Sequence, residues 1–283
     1  MSTTPDDYRA ESRDRWEQSA AGWEKRREDF QRMGLPLSQW MVEAIAPQPG
    51  HRVLELAAGL GDTGLLAAEL VQPGGEVVIT DGAEAMVEAA RRNAEAAGAV
   101  NVEAKVMEAE WIDVPTATID GVLCRFGYML LADPETALRE TRRVLKPGGR
   151  VALAVWDTIE RNPWLGVVRH VMGEQGLGQP ADPNEPGPFR LSAPGAVQEL
   201  LENVGFAEIQ VEAIDLEQRA ASLDDWWENL QDTSAATRRA VAGLAPAEHY
   251  RLRDAFDAGY QEYVREDGSL SIPARALVAA ASA

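Results

Sequence analysis

Short apolar runs alternate with longer alanine-rich runs between residues 51 and 156. The short runs are rich in valine, leucine and isoleucine, as buried strands are, whereas the longer runs repeat their apolar positions with the period of a helix. The predicted strands are RVLEL, EVVITD, NVEAKVME, IDGVLCRF and RVALAVW, in chain order. This alternation predicts βαβ units and therefore a parallel sheet.

The helices between these strands carry their own end signals. They are predicted over TGLLAAEL, EAMVEAARRNAEAAG and PETALRETRRVL. Pro73 and two glycines stop the first helix, Gly98 suits the C-terminal end of the second, and Pro134 suits the first turn of the third. These signals support a helix after the first, second and fourth strands.

After Trp156 the pattern changes. PWLGVVRHVMGEQG predicts a helix, and QPADPNEPGPF is too rich in proline and glycine to continue it. The alternation then resumes with a helix, APGAVQELLENVG, and a strand, FAEIQVEAI. Residues 222 to 265 hold two or three helical stretches, and ARALVAAA predicts a last strand. We expect the segments between these strands to form a helical cap beside the sheet.

Composition and charge exclude several classes of function. The formal net charge is −19, which opposes contact with nucleic acid and with anionic membranes. Cys124 is the single cysteine, and the three histidines lack the spacing of a zinc site. No stretch has the apolar length of a signal peptide core or a membrane span. We expect a cytoplasmic protein without metal, nucleic-acid partner or membrane insertion.

The first strand runs into the glycine turn GLGDTG, which fits the GxGxxG spacing of a dinucleotide site. A pyrophosphate at this turn would lie beside Glu55 and Asp62, a repulsion of roughly 1 to 4 kcal/mol per charge pair at 4 Å. A cofactor with a sulfonium and an ammonium would instead be attracted. The turn therefore favours S-adenosylmethionine over NAD, although the spacing alone allows both.

The whole segment VLELAAGLGDTG resembles the first motif of class I S-adenosylmethionine-dependent methyltransferases. ITDGAEAMVEAAR and VMEAEWIDVP are similar to the second and third motifs of that family. FGYMLLADPETALRETRRVLKPGG resembles the ubiquinone and menaquinone biosynthesis methyltransferases and their natural-product relatives. The resemblance implies an α/β, Rossmann-like three-layer sandwich with a mostly parallel seven-stranded sheet, an antiparallel last strand and helical cap insertions.

The resemblance also implies a set of cofactor-binding residues. Asp81 ends the second strand, where an acid can accept hydrogen bonds from both ribose hydroxyls, as it also would in an NAD enzyme. Ala57 stands where the family most often has glycine. Met86 suits an adenine face or ordinary helix core, and Cys124 suits the cofactor or a buried structural position. The predicted cofactor set is Glu55, Ala57, Gly59, Gly61, Asp81, Gly82, Met86, Glu108, Ala109, Cys124, Arg125 and Trp23.

The amino-terminal stretch WEQSAAGWEKRREDF resembles a segment that folds over the cofactor in many small-molecule members of the family. Trp16 and Trp23 are seven residues apart and share a helical face, which suits lid packing as well as ligand contact. The resulting division gives a lid at 1–50, a core at 51–156, 193–214 and 274–283, and cap or substrate segments at 157–192 and 215–273.

Methyl transfer from a sulfonium needs mainly alignment of the acceptor, so few side chains are obligatory. A base would help an acidic acceptor, and His170 is the first candidate, followed by Asp157 and Tyr128. A histidine on such a helix also suits an exposed or packing position. The predicted substrate residues are Tyr128, Trp156, Trp164, His170 and Trp227, and aromatic residues there suit an apolar or aromatic small molecule. Trp226 and Phe189 lie in the same segments, and the adjacent rings of Trp226 and Trp227 cannot share a helical face.

Three functions remain open from the sequence. The favoured one is methylation of a small molecule, with the acceptor and its reacting atom undetermined. An NAD-dependent oxidoreductase would keep the turn and Asp81 but lacks a recognisable tyrosine and lysine pair. A methyltransferase homologue that binds its cofactor without catalysis would leave the same residues in place. Oligomeric state is undetermined.

Overall fold

The computed structural model describes residues 4–177 and 185–283. In these ranges the strands are β1 (Arg52–Glu55), β2 (Glu76–Asp81), β3 (Val102–Val106), β4 (Ile119–Arg125), β5 (Leu145–Trp156), β6 (Ala207–Ala220) and β7 (Leu270–Ser282). They form one sheet in the order β3-β2-β1-β4-β5-β7-β6. The strands β1 to β5 pair in parallel, and β7 runs antiparallel to β5 and β6. The predicted fold class is therefore confirmed.

Helices pack against both faces of this sheet. The described helices are α1 (Pro5–Lys25), α2 (Arg27–Ile45), α3 (Asp62–Leu70), α4 (Glu84–Ala96), α5 (Pro134–Val144), α6 (Pro163–Glu174), α7 (Ala196–Val204), α8 (Leu223–Thr233), α9 (Ala235–Ala242) and α10 (Pro246–Tyr260). α2 and α3 contact each other and the strands. α5 and α7 form a second pair, which also contacts the strands. The sheet is thus the middle of three layers.

Local sequence explains where the elements near the site begin and end. The Asp133 side chain accepts a hydrogen bond from the Thr136 N–H at 3.0 Å, and Pro134 occupies the first turn of α5. Gly98 adopts a φ of 65° just after α4, a conformation that glycine allows without strain. The central strands are apolar and lose nearly all exposure to water, so β1, β4 and β5 carry the main core.

The cap is joined to the sheet by a continuation of two strands. β6 and β7 remain paired from Asp215 and Arg275 out to Ala220 and Leu270, so both strands are longer than the sequence predicts. Between them lie α8, α9 and α10, which agrees with the two or three helices predicted there. These helices and α6 enclose a second cluster of buried residues, including Trp226, Trp227, Phe256 and Tyr260. The cap therefore has a small core of its own.

The first fifty residues contain two helices with different neighbours. α1 contacts α4, α8 and α9, whereas α2 packs on β4 to β7 and buries Leu37 and Met41 in the main core. Only α1 thus has the surroundings of a lid, and the division into lid, core and cap stays a prediction. Part of the proline-rich stretch QPADPNEPGPF falls at 178–184, outside the described residues. No helix in the described part of the chain is long and apolar enough to cross a bilayer.

Candidate active site

The glycine turn lies at the carboxyl end of β1, in the centre of the sheet. Ala57, Gly59 and Gly61 all have positive φ, at 47°, 54° and 80°. A Cβ on Gly61 would approach the Ile79 side chain at 3.0 Å, whereas a Cβ on Gly59 would meet nothing within 4 Å. Gly61 thus lets α3 pack closely on β2, and Gly59 presents its open side to the cleft. Ala57 holds the left-handed conformation despite its methyl group, which is uncommon for alanine.

Glu55 lies beneath this turn, because its side chain is turned toward α3. Its Oε2 accepts a hydrogen bond from the Gly64 N–H at 2.8 Å, and the residue is 1% exposed. Burial raises the pKa of Glu55 from 4.5 to about 8, against the opposing effects of the Gly64 N–H and the Arg125 charge. Glu55 therefore joins strand to helix, and in this conformation it can act on a ligand only through space.

Asp62 is the acid nearest the position that a pyrophosphate would take, at the first residue of α3. Its Oδ1 accepts hydrogen bonds from Arg27 Nε at 3.1 Å and Nη2 at 2.8 Å, and Gln31 lies at 3.5 Å. An anion at the start of α3 would thus meet a carboxylate already held by α2. Because Arg27 balances the charge of Asp62, the repulsion of a pyrophosphate by this turn stays a prediction.

Asp81 connects the turn after β1 with the turn after β2. One carboxylate oxygen accepts the Gly59 N–H at 2.9 Å, and the other accepts the Ala83 N–H at 3.0 Å. Burial raises the pKa of Asp81, and the two N–H groups oppose that shift. Each oxygen has a lone pair left, so Asp81 can also accept from a diol. A Cβ on Gly82 would lie 3.1 Å from Glu108 Oε2, so this turn leaves little room beside Glu108.

The adenine side of the predicted site is covered by α1. Met86 is 1% exposed and packs in a cluster with Leu60 and Ala83, against which Trp16 and Trp23 lie. The two indole rings meet edge to face at 5.6 Å, as their spacing predicts. Ala109 is buried in the main core. Met86 is therefore enclosed in a cluster of core and α1 residues, and its contact with adenine stays a prediction.

Polar contacts fasten α1 over this region. Glu17 accepts the N–H groups of Glu84 and Ala85 at the start of α4. Arg13 Nη1 donates to Glu108 Oε1 at 3.0 Å, and Arg92 pairs with Glu24. No local sequence pattern indicates the role of Glu17, because its partners lie 67 and 68 residues away.

Trp23 reaches the cap as well as the lid cluster. Its Nε1 donates to the Thr233 carbonyl at 3.0 Å, and its ring stacks on Phe30 with centroids 4.0 Å apart. Arg26, at the start of α2, pairs with Asp225 and Asp232 of α8. Lid and cap thus touch at the end of α1.

The carboxyl end of β4 holds three consecutive residues with different surroundings. Cys124 is fully buried, which raises its pKa to about 12, so the thiol is inert at neutral pH. Arg125 extends to α2, where its Nη1 fills the space beside Gly34. Phe126 has a φ of 64°, an unusual conformation for an aromatic residue, and turns the chain out of the sheet.

Three aromatic rings pack on one another at and beyond the ends of β4 and β5. We call Phe126, Trp156 and Trp164 the aromatic wall. Phe126 stacks on Trp156 at 4.1 Å between centroids, and Trp156 meets Trp164 at 5.0 Å. Phe126 and Trp164 are partly exposed, so the wall has a face that a ligand can reach. The structure thus brings together Trp156 and Trp164, which the sequence predicts, and adds Phe126, which the sequence analysis did not name.

The other predicted substrate residues lie elsewhere. The Tyr128 hydroxyl is 2.6 Å from Thr141 Oγ1 and fully buried, and that burial raises its pKa well above the ordinary value. Trp227 belongs to the cap core, where it meets Phe256 edge to face. His170 has a side chain 72% exposed on α6, with Nε2 3.5 Å from Glu174 Oε1. Their roles toward a substrate stay predictions. Among the described residues, no group of three or more histidine, cysteine or acidic side chains could hold a metal ion.

Known proteins match the middle part of this chain in sequence. A family model described as a methyltransferase domain matches residues 53–149. The ubiquinone/menaquinone biosynthesis C-methyltransferase UbiE of Ralstonia pickettii is 37% identical over 138 residues, which cover 44% of this chain and 56% of the relative. The demethylmenaquinone methyltransferase of Thermus thermophilus is 43% identical over 114 residues, 40% of this chain and 50% of the relative. The chain thus aligns with little more than half the length of these relatives.

Solved structures share the fold. The YcgJ protein from Bacillus subtilis superposes with a TM-score of 0.59 at 21% identity, covering 87% of this chain and 97% of its own. A SAM-dependent methyltransferase from Aquifex aeolicus gives a TM-score of 0.51 at 22% identity, covering 68% and 90%. These structures share the Rossmann-like three-layer fold with this chain. Residues 53–149 match a methyltransferase domain, so S-adenosylmethionine is the cofactor to compare with the residues of the site.

The residues present fit that cofactor. Asp81 has acceptor capacity for the ribose, Gly59 leaves an open face, and Glu108 offers a carboxylate near the adenine side. Among residues 4–177 and 185–283, the basic side chain that pairs with an acid of the turn is Arg27, which contacts Asp62.

Proposed function

We propose that the protein transfers a methyl group from S-adenosylmethionine to a small apolar or aromatic molecule. The aromatic wall is the observation that carries this proposal. β1 and β4 are neighbours in the sheet, and so are β4 and β5, so the wall begins one strand away from the glycine turn. A ligand against Phe126 and Trp156 would lie next to a cofactor on the turn.

The bound cofactor would supply an already activated methyl group. The protein must then hold the acceptor atom about 3 to 3.5 Å from the methyl carbon and exclude water. Stacked rings suit both tasks, since they fix the plane of an aromatic ligand and present little polar surface. α1 would close the other side, because its contacts with α4 and Glu108 cover the cofactor cleft.

A general base for an acidic acceptor stays a prediction, with His170 and Asp157 as the two candidates to compare. Asp157 directly follows Trp156, and its Oδ2 lies 3.5 Å from Arg275 Nε. His170 faces away from the α6 residues that are buried in the cap core. Substitution of each separately, His170→Ala and Asp157→Asn, would show by kcat which one takes a proton.

The names of the sequence relatives add one acceptor class to test. Both act in quinone biosynthesis by name, so quinone precursors belong in any acceptor panel, beside phenols, amines and polyketides. The proposal that the acceptor is a small apolar or aromatic molecule depends on the aromatic wall. A cytoplasmic location and the lack of a nucleic-acid partner stay predictions.

Titration calorimetry with S-adenosylmethionine, S-adenosylhomocysteine and NAD tests the cofactor. We expect saturable binding of both sulfur compounds and none of NAD, and the reverse would overturn the proposal. An acceptor screen with labelled methyl donor tests catalysis. Methyl transfer to an aromatic acceptor, with a KM for that acceptor that changes in Trp156→Phe, would support a role of the aromatic wall in acceptor binding. Inactivity throughout the panel would favour a cofactor-binding protein without catalysis.

A further inference from the structure

Arg125 is the positively charged side chain at the end of β4. It directly precedes Phe126, so it stands between the glycine turn on the β1 side and the aromatic wall on the β5 side. Its guanidinium lies against α2. A Cβ on Gly34 would fall 1.6 Å from Nη1, so the guanidinium fills space that any other residue at position 34 would take.

The guanidinium of Arg125 lacks a protein acceptor in the described part of the chain. Asp62 and Glu55 act on it only through space, and burial, the largest influence, lowers its pKa. Both acids are already engaged, Asp62 with Arg27 and Glu55 with the Gly64 N–H. An arginine carries five N–H donors, and those of Arg125 remain accessible to water, because none of its nitrogens is a buried one without a partner.

Two arginines in other parts of the chain are paired with acids. Arg26 pairs with Asp225 and Asp232, and Arg143 donates to Glu140 and to the Ile112 carbonyl. Arg125 differs from them in location as well, because it alone of the three ends a strand beside the glycine turn. An unpaired guanidinium at that position has the properties of an anion-binding group.

We propose that Arg125 binds the carboxylate of a bound reactant, an inference that rests on the proposed function. The planar fork of a guanidinium matches a carboxylate with two parallel hydrogen bonds. A singly charged group suits the position better than a phosphate dianion, because the Asp62 carboxylate lies near Arg125. Two reactants could bring this carboxylate: the methionine end of the cofactor, or an aromatic or apolar acceptor that is itself an acid.

Substitution at Arg125 and Gly34 tests the proposal. Arg125→Met removes the charge at similar length, Arg125→Lys keeps the charge without the fork, and Gly34→Ala places a methyl group where Nη1 lies. Alanine is favoured over glycine within a helix, so Gly34→Ala should not weaken α2 by itself. Arg139→Met removes an exposed arginine of α5 that pairs with Glu135 and serves as the control for charge. Thermal unfolding would check that every variant is folded.

The first measurement compares S-adenosylhomocysteine with its decarboxylated analogue by calorimetry. If the cofactor is the source, Arg125→Met weakens binding of the former by at least about 10-fold, as loss of a charged hydrogen bond does, and leaves the latter unchanged. Arg125→Lys and Gly34→Ala should give smaller losses in the same direction. Arg139→Met should bind both as the wild type does.

The second measurement compares 4-hydroxybenzoate with 4-hydroxybenzamide, titrated into the complex with S-adenosylhomocysteine. If the acceptor is the source, the wild type prefers the acid and Arg125→Met loses that preference while its affinity for S-adenosylhomocysteine is kept. Either result supports the proposal and names the carboxylate. Folded variants that match the wild type in both measurements would overturn it while the proposed function stands. A wild type that binds no sulfur compound would overturn the proposed function, and this inference with it.

Discussion

The two sides of the cleft are built from different kinds of contact. On the turn side, Asp81 and Glu55 are fixed by backbone N–H groups from residues that lie within 25 positions of them. On the wall side, the rings of Phe126, Trp156 and Trp164 pack on one another, and the indole of Trp164 donates to Asn162 Oδ1. Backbone hydrogen bonds define one geometry for a constant ligand, whereas ring contacts tolerate changes in shape. This difference suits a common cofactor and a variable acceptor.

The wall should give the largest effect on stability. Trp156 is nearly buried and contacts two rings, so Trp156→Ala should lower the free energy of unfolding by about 3 to 5 kcal/mol. Trp156→Phe retains a ring and should lose less. Urea unfolding measures both. We expect Trp156→Phe to weaken acceptor binding more than S-adenosylmethionine binding. Equal losses of affinity for the two ligands would contradict the separation of the two sides.

Asp81 should give the largest effect on cofactor binding. Asp81→Asn removes the negative charge and turns an N–H donor toward one of the backbone donors. We expect a loss of affinity for S-adenosylmethionine of roughly 10- to 100-fold, as for a hydrogen bond to a charged group. Calorimetry measures it. Asp267→Asn, on the exposed loop before β7, removes an equal charge elsewhere and should leave the affinity unchanged.

Glu55 should make stability depend on pH. Burial raises the pKa of Glu55 in the folded protein to about 8, whereas its ordinary pKa is 4.5. As the pH rises, Glu55 therefore loses its proton in the unfolded chain before it does so in the folded protein. The contribution of Glu55 to stability therefore falls as the pH rises through this window, by at most about 1.4 kcal/mol per unit. Urea unfolding at pH 5.5 and 7.5 should show a larger fall for the wild type than for Glu55→Gln. Equal falls would show that Glu55 is ionised in the folded protein.

His170 should give the smallest effect on stability. Its side chain is 72% exposed, so His170→Ala should change the free energy of unfolding by no more than about 0.5 kcal/mol. The same variant decides its catalytic role without ambiguity from folding. A fall in kcat of roughly 10² to 10⁴ would establish a base, and unchanged turnover with the true acceptor would remove His170 from the reaction.

The sequence predicts the turn side better than the wall side. Gly59, Gly61 and Asp81 follow from a strand, a turn and a second strand that are close along the chain, and each lies where its motif indicates. The sequence predicts His170 and Tyr128 as site residues from their position after a strand. That position does not determine the direction of a side chain. Tyr128 is bonded to Thr141, and His170 is exposed on α6. Arg125 lies against Gly34, a contact across 91 positions that no local pattern indicates.

The sequence by itself determined the order of strands and helices, the glycine turn, the acid at the end of β2 and the excess of negative charge. These features depend on periodicity, backbone conformation and composition, which are properties of neighbouring residues. Only the tertiary structure decided that Glu55 is enclosed, that α1 is fastened over the cleft by Glu17, and that the aromatic wall forms beside Arg125. Those outcomes depend on burial and on contacts between segments far apart in the chain, because the energy of a charge or a ring is set by what surrounds it.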